Sequence, residues 1–128
     1  MAQAIRVVLV EDNDLFRETL EFLLALQPDI EVVATVSSGD RAQEVCARLA
    51  PDVVLMDYRM PGLDGVEATA AVLEAAPASR VVCLTASVSR EETKRLVAAG
   101  AVASLTKDAE LEEILAAIRD AAARAPRA

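Results

Sequence analysis

Five short apolar runs alternate along the chain with segments that carry apolar residues at helical spacing. The runs span residues 5–10, 32–36, 53–56, 81–84 and, more weakly, 101–105. Three of them, "IRVVLV", "VVLM" and "VVCL", show little or no alternation of polar and apolar positions, which is typical of parallel strands covered on both faces. Amphipathic helices are predicted for the segments between and after the runs, 14–26, 39–49, 65–76, 90–99 and 110–124.

Helix start and stop signals fall near the ends of these segments. Ser37 with Asp40, and Ser89 with Glu92, have the spacing of a capping box. The first four helical segments are each followed by a residue that ends helices, namely Pro28, Pro51, Pro77 and Gly100. Each crossover between parallel strands must be right-handed and bury its apolar stripe. The pattern therefore predicts an α/β protein with a doubly wound, flavodoxin-like (βα)5 fold and a parallel five-stranded sheet in the order 2-1-3-4-5.

Length and composition limit the function classes. At 128 residues the chain is expected to be a single domain over 1–128, with 121–128 as a frayed helix end or the start of a linker. The net charge of −8 argues against nucleic-acid binding by this domain. No apolar run approaches the length of a membrane span, and the first residues do not resemble a signal peptide. We therefore expect a cytoplasmic protein.

The chain has no histidine and only two cysteines, which narrows the chemistry further. Without histidine there are no Ser-His-Asp or Cys-His nucleophile arrangements and no histidine-bound metals. Cys46 and Cys83 both lie among apolar residues and are expected to be small core side chains. Any reaction must therefore use carboxylates, hydroxyls and lysine.

Residues with such chemistry follow four of the predicted strands. The first strand is followed by Glu11 and Asp12, the third by Asp57, the fourth by Thr85 and the fifth by Lys107. Any one of these alone is commonly a solvated loop residue. Ligands of such sheets bind beyond the carboxyl ends of the strands, so all four placements together favour a functional site.

Three carboxylates at one edge of a sheet repel one another unless positive charge compensates them. Lys107 is one source of that charge, and a hard divalent cation is another. Mg²⁺ (or Mn²⁺) prefers oxygen ligands. We expect Asp12 and Asp57 to bind it directly, with the backbone carbonyl of Arg59 as a further ligand and Glu11 acting through water.

In these motifs the chain resembles the receiver domains of two-component response regulators, over roughly residues 4–120. The resemblance rests on "VVLVEDN", on "DVVLMDYRMPGLDG" with Asp57, on "VVCLTA" with Thr85 and on "AGAVASLTKD" with Lys107. The lysine is followed by "DAELEEIL" rather than by proline. This context resembles the branch whose members usually carry a helix-turn-helix output domain.

The resemblance implies a mechanism. Asp57 would accept a phosphoryl group from a phosphohistidine of a sensor histidine kinase, Lys107 would pair with a phosphoryl oxygen, and the Thr85 hydroxyl would bind another. The movement of Thr85 and the loop 86–89 would then change the face formed by helix four, strand five and helix five. The chain would catalyse only its own phosphorylation and dephosphorylation, and would not turn over external substrates.

The same resemblance implies the partners. They are the kinase, a C-terminal DNA-binding output domain outside this chain, and a second copy in a homodimer. Family members usually report phosphorylation through an aromatic residue three positions before the lysine, where this chain has Ser104. We expect either a weaker switch or a different reporter on that face.

Three other readings remain open. A phosphatase of the haloacid-dehalogenase class would need a second acid at the position of Arg59, and a flavodoxin-type nucleotide binder would need a Ser-, Thr- and Gly-rich loop in place of "EDND". A stand-alone or degenerate receiver acting as a protein-interaction module is the third, and Ser104 is the residue that favours it.

Overall fold

A computed structural model describes residues 3–60, 62–86 and 89–124. Its five strands are β1 (Ile5–Val10), β2 (Ile30–Val36), β3 (Val53–Asp57), β4 (Arg80–Thr85) and β5 (Ala103–Thr106). Its five helices are α1 (Asp14–Ala25), α2 (Gly39–Leu49), α3 (Gly65–Ala75), α4 (Arg90–Ala99) and α5 (Leu111–Ala123).

The strands form one parallel sheet in the order β2-β1-β3-β4-β5, which confirms the predicted fold class. The central strand β3 is buried along its whole length, as its unbroken apolar sequence predicts. One core cluster packs β1, β3 and β4 against α2, α3 and α4, and the other packs the opposite face of the sheet against α1 and α5. Cys46 and Cys83 are both buried in the first cluster, as expected.

Backbone hydrogen bonds continue beyond the strands at the carboxyl edge of the sheet. The amide of Glu11 donates to the carbonyl of Val36 at 2.9 Å, and the amide of Tyr58 donates to that of Leu84 at 2.9 Å. The amide of Lys107 donates to the carbonyl of Thr85 at 2.7 Å. The first residue after each of these strands is thus fixed to a neighbouring strand.

The structure corrects several local predictions. β2 begins two residues earlier than expected, and β5 spans Ala103–Thr106 instead of 101–105. The N-cap of α2 is Ser38 and its side chain makes no capping hydrogen bond, so the box predicted from Ser37 is wrong. Ser89 does cap α4, accepting the amide of Glu92 at 3.4 Å.

A complete capping box instead begins α3, where it pairs Asp64 with Glu67. At α5 the amide of Glu110 donates to Glu113 Oε1 at 3.4 Å, which is one half of such a box. At the other end of α5 the helix continues to Ala123, and residues 125–128 lie outside the described part of the chain. The frayed end or linker expected at 121–128 therefore stays a prediction. Among the described residues, no helix has the length and apolar character needed to cross a membrane.

Candidate functional site

Asp57 is the last residue of the central strand and only 2% exposed. Its Oδ1 lies 3.1 Å from Lys107 Nζ and accepts a hydrogen bond of 3.3 Å from the backbone amide of Arg59. Its Oδ2 is buried and has no hydrogen-bond partner among the described residues. A buried carboxylate oxygen without a partner is costly, and in a native protein it points to a ligand.

Glu11 follows the neighbouring strand β1 and is 1% exposed. Its Oε2 accepts hydrogen bonds from the amide of Asn13 at 3.0 Å and from Lys107 Nζ at 3.2 Å. Its Oε1 lies 3.0 Å from the same ammonium, at ion-pair distance but without hydrogen-bond geometry. Arg17 donates to the backbone carbonyl of Glu11 at 2.9 Å, which fixes the turn between β1 and α1.

Lys107 reaches both carboxylates from the turn after β5. Its side chain is 27% exposed, and its ammonium lies 5.1 Å from the centroid of the Phe16 ring. Its single charge faces the two buried carboxylates, so it compensates only part of their negative charge.

Burial above all, and then the adjacent Glu11 carboxylate, raise the pKa of Asp57 to about 7 against the opposing effect of Lys107. Burial also disfavours the charged form of Lys107, but the hydrogen bonds and charges of Glu11 and Asp57 outweigh it and raise its pKa. The site is therefore short of positive charge.

The acids have the arrangement of a cation site. Glu11, Asp12 and Asp57 each present an oxygen, and these oxygens all lie within 4.8 Å of one another. The ligand atoms that these residues offer are carboxylate oxygens, the type that hard divalent cations prefer, and Asp57 Oδ2 has no hydrogen-bond partner among the described residues. The residues therefore fit a divalent cation, with Asp12 on the exposed side of the cluster.

The sequence model of the response regulator receiver domain family matches residues 7–119 of the chain. The chain belongs to this family. It is the receiver domain of a two-component response regulator, as the motifs predicted, and is homologous to transcriptional regulators. The receiver domain is 36% identical over 123 residues to the transcriptional regulatory protein LiaR of Bacillus subtilis, covering 96% of this chain and 58% of LiaR.

A second relative and a solved structure agree with this assignment. The response regulator GacA of Pseudomonas aeruginosa is 40% identical over 115 residues, covering 90% of this chain and 54% of GacA. The signal receiver domain of the putative response regulator NarL from Mycobacterium tuberculosis superposes with a TM-score of 0.89 at 36% identity, covering 95% of this chain and 99% of that one. The chain spans somewhat more than half the length of the curated relatives.

The other residues predicted for the receiver site lie on β4, on β5 and in the loop after β3. Thr85 is the buried last residue of β4 and pairs with Thr106 across the sheet. The side chain of Arg59 is exposed, while its amide contacts Asp57. Ser104 lies in β5, opposite Cys83. Of the predicted loop 86–89, residues 87 and 88 lie outside the described residues.

Sequence reasoning missed several neighbours of the site. The Phe16 ring lies over Lys107, and no sequence signal links the two residues. Arg95 of α4 donates to the Tyr58 hydroxyl at 3.4 Å, another long-range contact. Gly65 could have been found from "LDG": a Cβ there would lie 2.7 Å from Cα of Tyr58, so only glycine lets α3 approach this close.

Proposed function

We propose that Asp57 is the phosphoacceptor of this receiver domain and takes its phosphoryl group from a phosphohistidine of a sensor histidine kinase. The single observation that carries this proposal is the buried Asp57 carboxylate, of which one oxygen has no partner in the described part of the chain and the other lies beside an ammonium. A carboxylate oxygen of Asp57 would form the bond to phosphorus as the phosphorus–nitrogen bond breaks, and the imidazole would leave with the bonding electron pair.

Phosphoryl transfer asks mainly for positioning and charge compensation. Lys107, already 3.1 Å from Asp57 Oδ1, would pair with a phosphoryl oxygen. The Thr85 hydroxyl at the end of the adjacent strand would donate to another. The rigid burial of β3 holds the accepting oxygen in place while these two residues contact the incoming group.

Asp12, Asp57 and the backbone carbonyl of Arg59 would hold Mg²⁺ or Mn²⁺, and Glu11 would act through water. The bound cation supplies positive charge to phosphoryl oxygens at the centre of the acidic cluster. Without it the transfer would replace the single charge of the Asp57 carboxylate with a phosphoryl group that carries about 1.5 to 2 negative charges, in a site already short of positive charge.

Phosphorylation would change the face formed by α4, β5 and α5, because the loop 86–89 would move together with Thr85. Ser104 offers no aromatic ring there. Tyr58 directly follows the phosphoacceptor and its hydroxyl contacts Arg95 of α4. We propose this contact as the alternative reporter, since a change in the loop after Asp57 would reach α4 through it.

The rest of the protein follows from the relatives. LiaR is named a transcriptional regulatory protein and is longer than this chain, so a DNA-binding output domain after the receiver domain is the proposed target of the switch. A homodimer and a cytoplasmic location agree with that role. We propose no multiple-turnover activity on external substrates, because the group transferred would stay on Asp57 until hydrolysis.

The test is the intact mass of the protein after incubation with acetyl phosphate and Mg²⁺. We expect the mass to rise by one phosphoryl group, and to stay unchanged in Asp57→Asn or without a divalent cation. Asp52→Asn is the matched control: it removes an acid at the opposite end of β3 and should label like the wild type.

If the wild type gains no mass from acetyl phosphate or from a kinase, the phosphoacceptor proposal is wrong. The chain would then be a degenerate receiver that acts as an interaction module. Labelling that persists in Asp57→Asn would instead place the acceptor on another residue.

A further inference from the structure

We infer that Phe16 is a positioning residue for Lys107: its ring holds the ammonium over the site, between the Glu11 and Asp57 carboxylates. The inference rests on the proposed function for the role of Lys107 in phosphoryl transfer, whereas the contact between the ring and the ammonium is observed in the structure. Phe16 belongs to α1 and Lys107 to the turn after β5, so only the fold brings them together.

The ring is placed by the start of its helix. Asn13 is the N-cap of α1, and its Oδ1 accepts the backbone amide of Phe16 at 2.8 Å. The Phe16 side chain is half-buried and packs against the core cluster under α1 and α5. The cap thus fixes the backbone of Phe16, and its ring cannot turn away from Lys107 without losing its contact with the core cluster.

The geometry is that of a cation–π contact. Lys107 Nζ lies 5.1 Å from the centroid of the Phe16 ring, within the range at which a ring quadrupole attracts an ammonium. The same ammonium lies 3.0 Å from Glu11 Oε1 and 3.1 Å from Asp57 Oδ1. Three neighbours in different directions restrict a long side chain that would otherwise sample many rotamers.

The ring differs from the carboxylates in carrying no net charge. A divalent cation bound to Glu11, Asp12 and Asp57 would compete with Lys107 for those oxygens, but it would not compete for the ring. Phe16 therefore keeps the ammonium near the site in a state where its attraction to the carboxylates is weakened. An aliphatic side chain of similar volume would fill the same space without this attraction.

The chain offers a matched control, because its two phenylalanines both lie in α1. The Phe22 side chain is 64% exposed and is not the ring over Lys107. Phe16→Leu and Phe22→Leu are thus the same substitution in the same helix, with and without the ammonium as neighbour. Phe16→Tyr keeps a ring and serves as the rescue variant.

The first measurement needs no phosphate donor. In the NMR spectrum of the full chain, the ε-methylene protons of Lys107 should show an upfield ring-current shift. This shift should disappear in Phe16→Leu, remain in Phe22→Leu and Phe16→Tyr, and persist when Mg²⁺ is added. A shift unchanged by Phe16→Leu would overturn the contact, whether or not Asp57 is a phosphoacceptor.

The second measurement is the rate of phosphorylation by acetyl phosphate at saturating Mg²⁺. Phe16→Leu should lower it roughly three- to tenfold, the size of one cation–π contact, and Phe16→Tyr should restore it. In a Lys107→Met background, Phe16→Leu should have no further effect, since Phe16 acts through Lys107.

The outcomes separate the two proposals. A wild type that is labelled, with Phe16→Leu labelled at the same rate, overturns the positioning role and leaves the phosphoacceptor intact. An equal loss of rate from Phe16→Leu with and without Lys107 would show that Phe16 acts only on folding or on the helix cap, and would also overturn it. A wild type that is never labelled removes the proposed function, and the NMR arm still decides the contact.

Discussion

The two ends of strand β3 carry aspartates in opposite circumstances. At the amino end, the Asp52 carboxylate accepts the amide of Arg6 at 2.9 Å, and the backbone of Asp52 bonds to Arg6 on one side and Arg80 on the other. At the carboxyl end, Asp57 is buried with one oxygen unpartnered among the described residues and a second buried carboxylate beside it. The backbone and the carboxylate of Asp52 are hydrogen-bonded, whereas one buried oxygen of Asp57 has no partner among the described residues.

The difference separates two uses of the same residue type. Asp52 is exposed to solvent and joins β3 to Arg6 of β1 and Arg80 of β4 through hydrogen bonds within the protein. The Asp57 carboxylate is disfavoured by its burial and by the neighbouring Glu11, and an added positive charge would stabilise it. This arrangement therefore indicates a site that binds a ligand. Substitutions near the carboxyl end of β3 can therefore be compared with matched substitutions near its amino end.

The largest effect is expected on the rate of phosphorylation. Lys107→Met should lower the rate with acetyl phosphate by about 100-fold or more, because it removes a preorganised charge from the transferring group. Arg6→Met at the other end removes donors to the carbonyls of Leu49 and Ala50, and should lower stability without changing the rate of the folded protein. Timed intact-mass spectra measure both, and equal rates for the wild type and Lys107→Met would contradict the role of the lysine.

The next effect is on stability and has an unusual sign. Asp57→Asn should raise the free energy of unfolding at pH 8 without metal by about 2 kcal/mol, because it removes a buried charge that burial and Glu11 disfavour. Asp52→Asn should change it by less than about 0.5 kcal/mol, since an amide oxygen still accepts the Arg6 amide. Urea unfolding followed by circular dichroism tests the pair. A destabilised Asp57→Asn would mean that its pairing with Lys107 outweighs its burial.

The raised pKa of Asp57 also predicts how the stability of the metal-free protein depends on pH. The pKa of Asp57 is about 7 when folded, against an ordinary value of 3.8. Between these values the folded protein binds a proton that the unfolded chain has released, so the free energy of unfolding should fall as pH rises from about 4 to 7. Asp57→Asn should lack that part of the fall, and Asp52→Asn should keep it. Parallel curves for the wild type and Asp57→Asn would show that Asp57 does not titrate in this window.

The smallest effect is stabilisation by the cation. At tenfold excess over its dissociation constant, Mg²⁺ should stabilise the folded state by about 1.4 kcal/mol at neutral pH. The Tm increase should survive in Asp52→Asn and shrink strongly in Asp12→Asn. Differential scanning calorimetry with and without Mg²⁺ measures it, and an equal increase in all three proteins would place the cation elsewhere.

The sequence predicted the sheet well because its signal is local. An unbroken apolar run such as 53–56 leaves few alternatives to a buried parallel strand, and the residues that follow four such runs fall on one edge once the order is known. Contacts between distant residues were not predictable in this way. Phe16 and Lys107 are in contact only because α1 packs on the sheet near the carboxyl end of β5. No residue close to either of them in the sequence predicts this contact.

The helix caps show a different limit. Ser37 and Asp40 have the spacing of a capping box, but β2 runs to Val36 and α2 begins only at Gly39, so the cap moves to Ser38. At α3 the capping box uses Asp64, an acid that a search for Ser or Thr overlooks. Tertiary packing sets where a helix can begin, and the side chains then supply whatever cap is available.

The amides of Glu11, Tyr58 and Lys107, each bonded to a carbonyl across the sheet, have a consequence for protein engineering. They tie the loops after β1, β3 and β5 to a neighbouring strand, so new chain termini introduced in these loops would release a site residue. The connections at the opposite edge have backbone ties of their own, from Asp52 to Arg6 and Arg80 and from Asp29 to Ile5, but none of these holds a residue of the site. A circular permutant opened between α2 and β3, or between α1 and β2, should therefore keep its reactive centre, which makes those loops the places to fuse a reporter domain.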